Sequence, residues 1–200
     1  VNCLIYWGSS ALTAGRYHFD FTMAFDREVP LLPVFVWFYI LAFPFWAVGY
    51  LLAARRGKDM FYRFVATDLT IHFICFICFI LIPTTNIRPE IPGNTLSEKI
   101  LALVYSLDGG NSPSNLFPSI HCYVSWMCWK GVEGSEKVPK WYQRFSLIFA
   151  ILIIISTQVL KQHYIVDAAA ALLLVEFFWR FYQKGQRHKW VVHIFANEKK

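Results

Sequence analysis

LLPVFVWFYILAFPFWAVGYLLAA, residues 31–54, runs for 24 residues without a single charged side chain. Wound as a helix at about 1.5 Å per residue it is long enough to cross a hydrocarbon core of about 30 Å. That reading puts the chain in a bilayer, and the remainder agrees. Of 200 residues, 56% are apolar, 18% aromatic and 16% charged, whereas a soluble domain carries about 25% charged residues. Outward from this stretch, 64–83 forms a second apolar run broken only by Asp68 and His72. Further candidates are 1–14, 116–129, 145–160 and 164–182. The expected fold is all-α, an integral membrane six-helix bundle forming one membrane-embedded domain over 1–200. The first helix reads as truncated rather than as a cleaved signal peptide, since neither a basic leader nor a small-residue cleavage site is visible.

Basic side chains give the orientation, because Lys and Arg gather in short cytoplasmic loops. Fourteen of the nineteen fall on one side of a six-span layout. They are Arg55, Arg56, Lys58 and Arg63 after the second span, and Lys130, Lys137, Lys140 and Arg144 after the fourth. The tail adds Arg180, Lys184, Arg187, Lys189, Lys199 and Lys200. Both termini are therefore expected in the cytoplasm. The net charge of +6 reads as contact with anionic membrane lipids. No nucleic-acid partner is expected, since no folded basic face stands outside the bilayer. Cys75, Cys78, Cys122 and Cys128 lie within predicted spans and Cys3 near the start. The CxxC of Cys75 and Cys78 reads as packing, because no other metal ligands accompany it.

The opposite, outward side collects a different set. In STQVLKQHYIVD, 156–167, Lys161, His163 and Asp167 stand within seven positions at the opening of the last span. His163 and Asp167 are four apart and share a helix face. A carboxylate there fixes the imidazole tautomer and favours its cationic form, as a nucleophilic histidine needs; a capping pair would show the same spacing. In NLFPSIHCYVSW, 115–126, Pro118 suits a helix start. The amides of Ser119 and Ile120 would then be free donors for phosphate, with His121 just inside. In PTTNIRPEIPGN, 83–94, Arg88 offers a planar fork for phosphate oxygens. A short extra helix follows in the outward loop, opened by a Thr95–Glu98 capping box and stopped at Gly109-Gly110. Its residues Ile100, Leu101, Val104 and Leu107 suggest that it lies against the bundle or the membrane interface, where it would cover the site.

Arg88-Pro89, then PSIH at 118–121, then Ser156, His163 and Asp167 at their spacing, resembles the type-2 phosphatidic acid phosphatase superfamily. PSIH and KQHY look closest to the branch with inositol phosphorylceramide synthase-like members. Three positions depart from the pattern: Leu81 stands for the first-motif Lys, Ile120 for Gly, and Thr157 for Arg. The resemblance implies a metal-free phosphoryl transfer with no cofactor. In it His163 attacks phosphorus and forms a phosphohistidine, Asp167 holds it, and His121 moves the leaving-group proton. Arg88, Ser119, Ile120 and Lys161 would hold the substrate phosphate, with Lys161 standing in for the lost charge.

The function so implied is hydrolysis of a lipid phosphate monoester or diphosphate, with the active site on the extracytoplasmic or lumenal side. A lipid phosphotransferase with an alcohol acceptor uses the same residues. A non-catalytic carrier or scaffold with a degenerate pocket is the alternative from another class. Asp68 and His72, four apart in the third span, are expected to pair with each other or with Glu176 as structure.

Overall fold

The computed structural model describes residues 2–110 and 113–196, with side chains other than those of 2–4 and 196. Val1, Lys199, Lys200 and the Cys3 side chain, named above, lie outside the described residues. Among those residues the protein is an all-α membrane bundle, as expected, with almost no strand. In chain order come α1 (Asn2–Thr13), α2 (Ala24–Glu28), α3 (Val36–Ala54), α4 (Lys58–Leu81), α5 (Leu96–Leu107), α6 (Ile120–Val132), α7 (Lys140–Val159), α8 (Ile165–Gln183) and α9 (Lys189–Ala196). The short α2 and α9 were not expected. Nor was the parallel ladder of β1 (Phe19–Asp20) with β2 (Thr84–Thr85), which pairs Phe19 with Thr84.

Helix α6 is the hub, packing against α3, α4, α7 and α8. Its Cys122, Tyr123, Val124, Met127 and Cys128 are fully buried. Small residues let the backbones approach. A Cβ on Gly49 of α3 would stand 2.6 Å from Cys128 Sγ, and one on Gly131 of α6 would stand 2.9 Å from the Phe64 ring.

Helix lengths differ from the expected layout. Three helices, Pro33–Ala54 including a leading 3-10 turn, Lys58–Leu81 and Lys140–Val159, are long and apolar enough to cross a membrane. Helix α8 has 19 residues but carries Asp167, Glu176 and Arg180. Helices α1 and α6, with 12 and 13 residues, reach only about 18–20 Å. The α6 start lies four residues beyond the expected one. The reason is local: Ser119 is the N-cap, its hydroxyl accepting from the Cys122 amide at 3.2 Å, so Pro118 stands before the helix rather than in its first turn.

The three basic connections meet at one end. Arg56 donates to the Lys130 and Gly131 carbonyls at 3.4 and 3.2 Å. Arg63 donates to those of Tyr182 and Gln183 at 2.8 and 2.7 Å. Asp68 and His72 do pair, Nδ1 to Oδ1 at 3.4 Å, and two tyrosines extend the pair. The Tyr50 hydroxyl donates to Asp68 at 2.7 Å, and the Tyr123 hydroxyl meets His72 Nε2 at 2.6 Å. Glu176 stays apart from them, bound to Lys130 at 3.1 Å and Arg180 at 3.2 Å.

Candidate active site

At the end opposite the basic loops, three segments distant in sequence are tied together by hydrogen bonds to backbone groups. The Ser119 amide donates to the Asp167 carbonyl at 3.3 Å, joining the starts of α6 and α8. The Thr157 carbonyl accepts from the Gln162 and His163 amides at 2.9 and 3.0 Å, which shapes the α7–α8 turn. Thr84 Oγ1 accepts from the Leu116 and Phe117 amides at 2.9 and 3.0 Å. Asn86 Nδ2 donates to the Lys161 carbonyl at 2.9 Å, and Lys161 itself takes a left-handed φ of 52°.

These ties bring His121 and His163 together, with ring centroids 6.3 Å apart and planes inclined at 49°. His121 stacks on Tyr39 at 4.3 Å and is boxed further by Phe43 and Trp46. Nδ1 of His163 lies 3.5 Å from Asp167 Oδ2, while the same Oδ2 accepts from the Tyr164 amide at 2.9 Å. Asp167 is thus the cap of α8 and the near neighbour of His163 Nδ1, which at 3.5 Å makes no hydrogen bond to it.

Both histidines line a cavity of about 260 Å³ between α1, α3, α5 and the start of α6. Its wall is mostly apolar and includes Tyr39, Phe43, Trp46 and Ile120. Helix α5 does cover the site: its capping box closes through Thr95 and Glu98 at 2.9 and 3.2 Å, and Val104 and Leu107 line the cavity. Among the described residues, six buried polar atoms without a hydrogen-bond partner, on Asn86, Arg88, Asn115, His121, Gln162 and His163, cluster at this end, the last being the Nδ1 that stands 3.5 Å from Asp167. Such atoms are normally paired, so their concentration suits a polar guest.

The expected phosphate ligands are placed differently. The Ser119 amide and hydroxyl are both engaged, as above, and Ser119 is fully buried. Ile120 keeps an amide at the first helical position, where no intrahelical acceptor exists. Arg88 is buried, and its fork is filled by protein oxygens. It donates to the Asp108 and Gly110 carbonyls at 2.9 and 3.1 Å, and to the carboxylate of Asp108 and the amide oxygen of Gln162. Its guanidinium also covers the Tyr105 ring at 4.7 Å. Burial pushes the Tyr105 phenol up to about 12, against the opposing charge of Arg88. The Lys161 ammonium points to the Asp26 and Val29 carbonyls and lines a separate hollow that holds neither histidine. Burial lowers its pKa, and the Asp26 carboxylate partly opposes this.

Sequence reasoning missed Asp108 and Gln162, the two side chains that hold Arg88, and Tyr6, whose hydroxyl donates to Asp108. It also missed the role of Asp26, which accepts from the Ile165 amide at 2.9 Å. No local pattern links Arg88 to a carboxylate twenty positions on, across a whole helix. Among the described residues no group of three or more His, Cys, Asp or Glu side chains gathers as a metal site. A family model described as the PAP2 superfamily matches residues 15–180. No curated protein and no solved structure matches the chain.

Proposed function

The chain belongs to the PAP2 superfamily, and from that premise we propose that it is a membrane phosphoesterase acting on a lipid phosphate through a covalent phosphohistidine. Nε2 of His163 attacks phosphorus as the P–O bond to the lipid breaks. His121 gives its proton to the departing oxygen, then takes one from the incoming water, which frees the phosphate and restores His163. Asp167, 3.5 Å from Nδ1, balances the positive charge that grows on the ring. The Ile120 amide at the positive end of α6 faces the charge that develops on the phosphoryl oxygens.

The observation that carries this reading is the pair of imidazoles from different helices in one cavity, 6.3 Å between centroids. An apo pair at this spacing can act on one phosphoryl group from both sides. The distribution of basic loops supports an active site on the extracytoplasmic or lumenal side, with both termini inside. In the test, purified protein in detergent receives a lipid labelled in its phosphate and is quenched within seconds. Wild type is expected to carry acid-labile label and to release the lipid alcohol. His163→Ala is expected to do neither. Wild-type turnover by His163→Ala ends the proposal.

A phosphotransferase reading draws on one feature, the apolar wall of the cavity. A long-chain alcohol is accommodated there more readily than water, so a labelled donor with added alcohols would yield a new lipid instead of free phosphate.

A further inference from the structure

The charges around the two histidines are unusual for a phosphate site. Among the described residues, the cavity that both of them line contains no lysine or arginine, and its one carboxylate is that of Asp108. Arg88 stands behind that carboxylate, buried, with its fork filled by Asp108, Gly110 and Gln162. The Tyr6 hydroxyl holds the other oxygen of Asp108 from the α1 side. Lys161 is turned to the α2 carbonyls, in the hollow without a histidine. Asp167, 1% exposed, adds a second negative charge beside His163.

Arg88 is therefore neutralised before a substrate arrives, and the reacting place has no surplus positive charge. A phosphate monoester near neutral pH carries about −1.5 to −2, and the Arg88–Asp108 pair, neutral overall, leaves no surplus cation to meet that charge in the low-dielectric wall. A phosphodiester has one negative charge and two organic arms, one of which fits the apolar cavity. Trp7, Phe43 and Leu107, each more than half exposed, form the rim of that cavity.

Resting on the phosphohistidine reading above, we infer that Asp108 sets specificity, screening Arg88 so that the site takes a monoanionic lipid phosphodiester in preference to a dianionic monoester. In the reaction His163 attacks the diester phosphorus and the bond to one lipid oxygen breaks. That oxygen gains its proton from His121; the other ester arm stays on phosphorus while the acceptor oxygen, losing its proton to His121, forms a new P–O bond and the P–N bond to His163 breaks.

The test compares phosphatidic acid with its phosphatidyl methyl ester, identical in acyl chains, in mixed micelles; both release diacylglycerol. At pH 8 the wild type is expected to favour the methyl ester by at least tenfold in kcat/KM. Near pH 5 phosphatidic acid is mainly monoanionic, and the preference is expected to shrink severalfold. Both substrates meet the same free enzyme, so titration of Tyr6, Tyr39, His121 and His163 on the lining, and of Arg88 and Asp167 behind it, cancels in the ratio. Asp108→Asn keeps the size and an acceptor for Tyr6 but removes the charge. It is expected to shift the ratio of kcat/KM for phosphatidic acid to that for the methyl ester about tenfold toward phosphatidic acid. A wild-type preference for the monoester at pH 8, a ratio independent of pH, or equal losses on both substrates in Asp108→Asn overturns the inference. The wild-type pH comparison stands even where the variant does not fold. Cleavage of neither substrate by wild type rejects the phosphohistidine reading itself, and this inference with it.

Discussion

Replacing Asp167 by Asn separates its two roles. Asn retains an oxygen for the Tyr164 amide, which Asp167 caps at 2.9 Å, so α8 should start where it does now. What disappears is a negative charge 3.5 Å from Nδ1 of His163. A full unit charge on the imidazole at that distance gains about 5 kcal/mol at an effective dielectric near 20. In the transition state only about half of that charge has formed, leaving ~2–3 kcal/mol. At 1.36 kcal/mol per factor of ten, kcat should fall about a hundredfold. KM should change little, because Asp167 stands behind His163 and does not line the cavity that would take the substrate. The assay is the initial rate of diacylglycerol release in detergent micelles, with His163→Ala as the baseline and thermal unfolding as the control for folding. A kcat above half the wild-type value refutes the reasoning, as does an effect confined to KM.

Gly49→Ala would set a methyl 2.6 Å from Cys128 Sγ and 2.7 Å from its Cβ, well inside contact distance. Helix α3 must then back away from α6 at a cost of about 1–3 kcal/mol, a Tm loss of roughly 2–10 °C for a chain of this size. Activity should fall too, since Tyr39 and His121 stack across the same interface; pairing with Cys128→Gly should restore both, and an unchanged Tm in the single variant would show that the helices yield. Lys161→Met strips the Asp26 and Val29 carbonyls of their partner and should cost about 1–3 kcal/mol in thermal stability. Turnover per folded molecule should stay within threefold; a collapse of turnover with normal stability would return Lys161 to the phosphate.

The 24 uncharged residues ahead of Arg55 could hardly have been read as anything but a span, and α3 is there. The Thr95–Glu98 capping box was legible for the same kind of reason, as a bond between near neighbours written in residue types. His163 and Asp167 do meet, but not on one helix face as their spacing suggested: His163 stands in the α7–α8 turn, ahead of the Tyr164 cap of α8, and the Thr157 carbonyl holds it there. The start of α6 was missed because Pro118 and Ser119 each suit a helix opening, and the hydroxyl cap prevailed. Where the free cations go was decided elsewhere. Arg88 could be read as a phosphate fork only while its surroundings were unknown. Asp108 and Gln162 reach it from segments 20 and 74 positions away.

The sequence by itself determined that helices would form, where most of them run and which two histidines stand at their ends, since periodicity, caps and apolar length act within a turn or a span. Only the tertiary structure decided that those histidines share a mostly apolar cavity, and that the arginine behind it already has a carboxylate. Charge balance is a sum over neighbours in space, and no spacing along the chain encodes it.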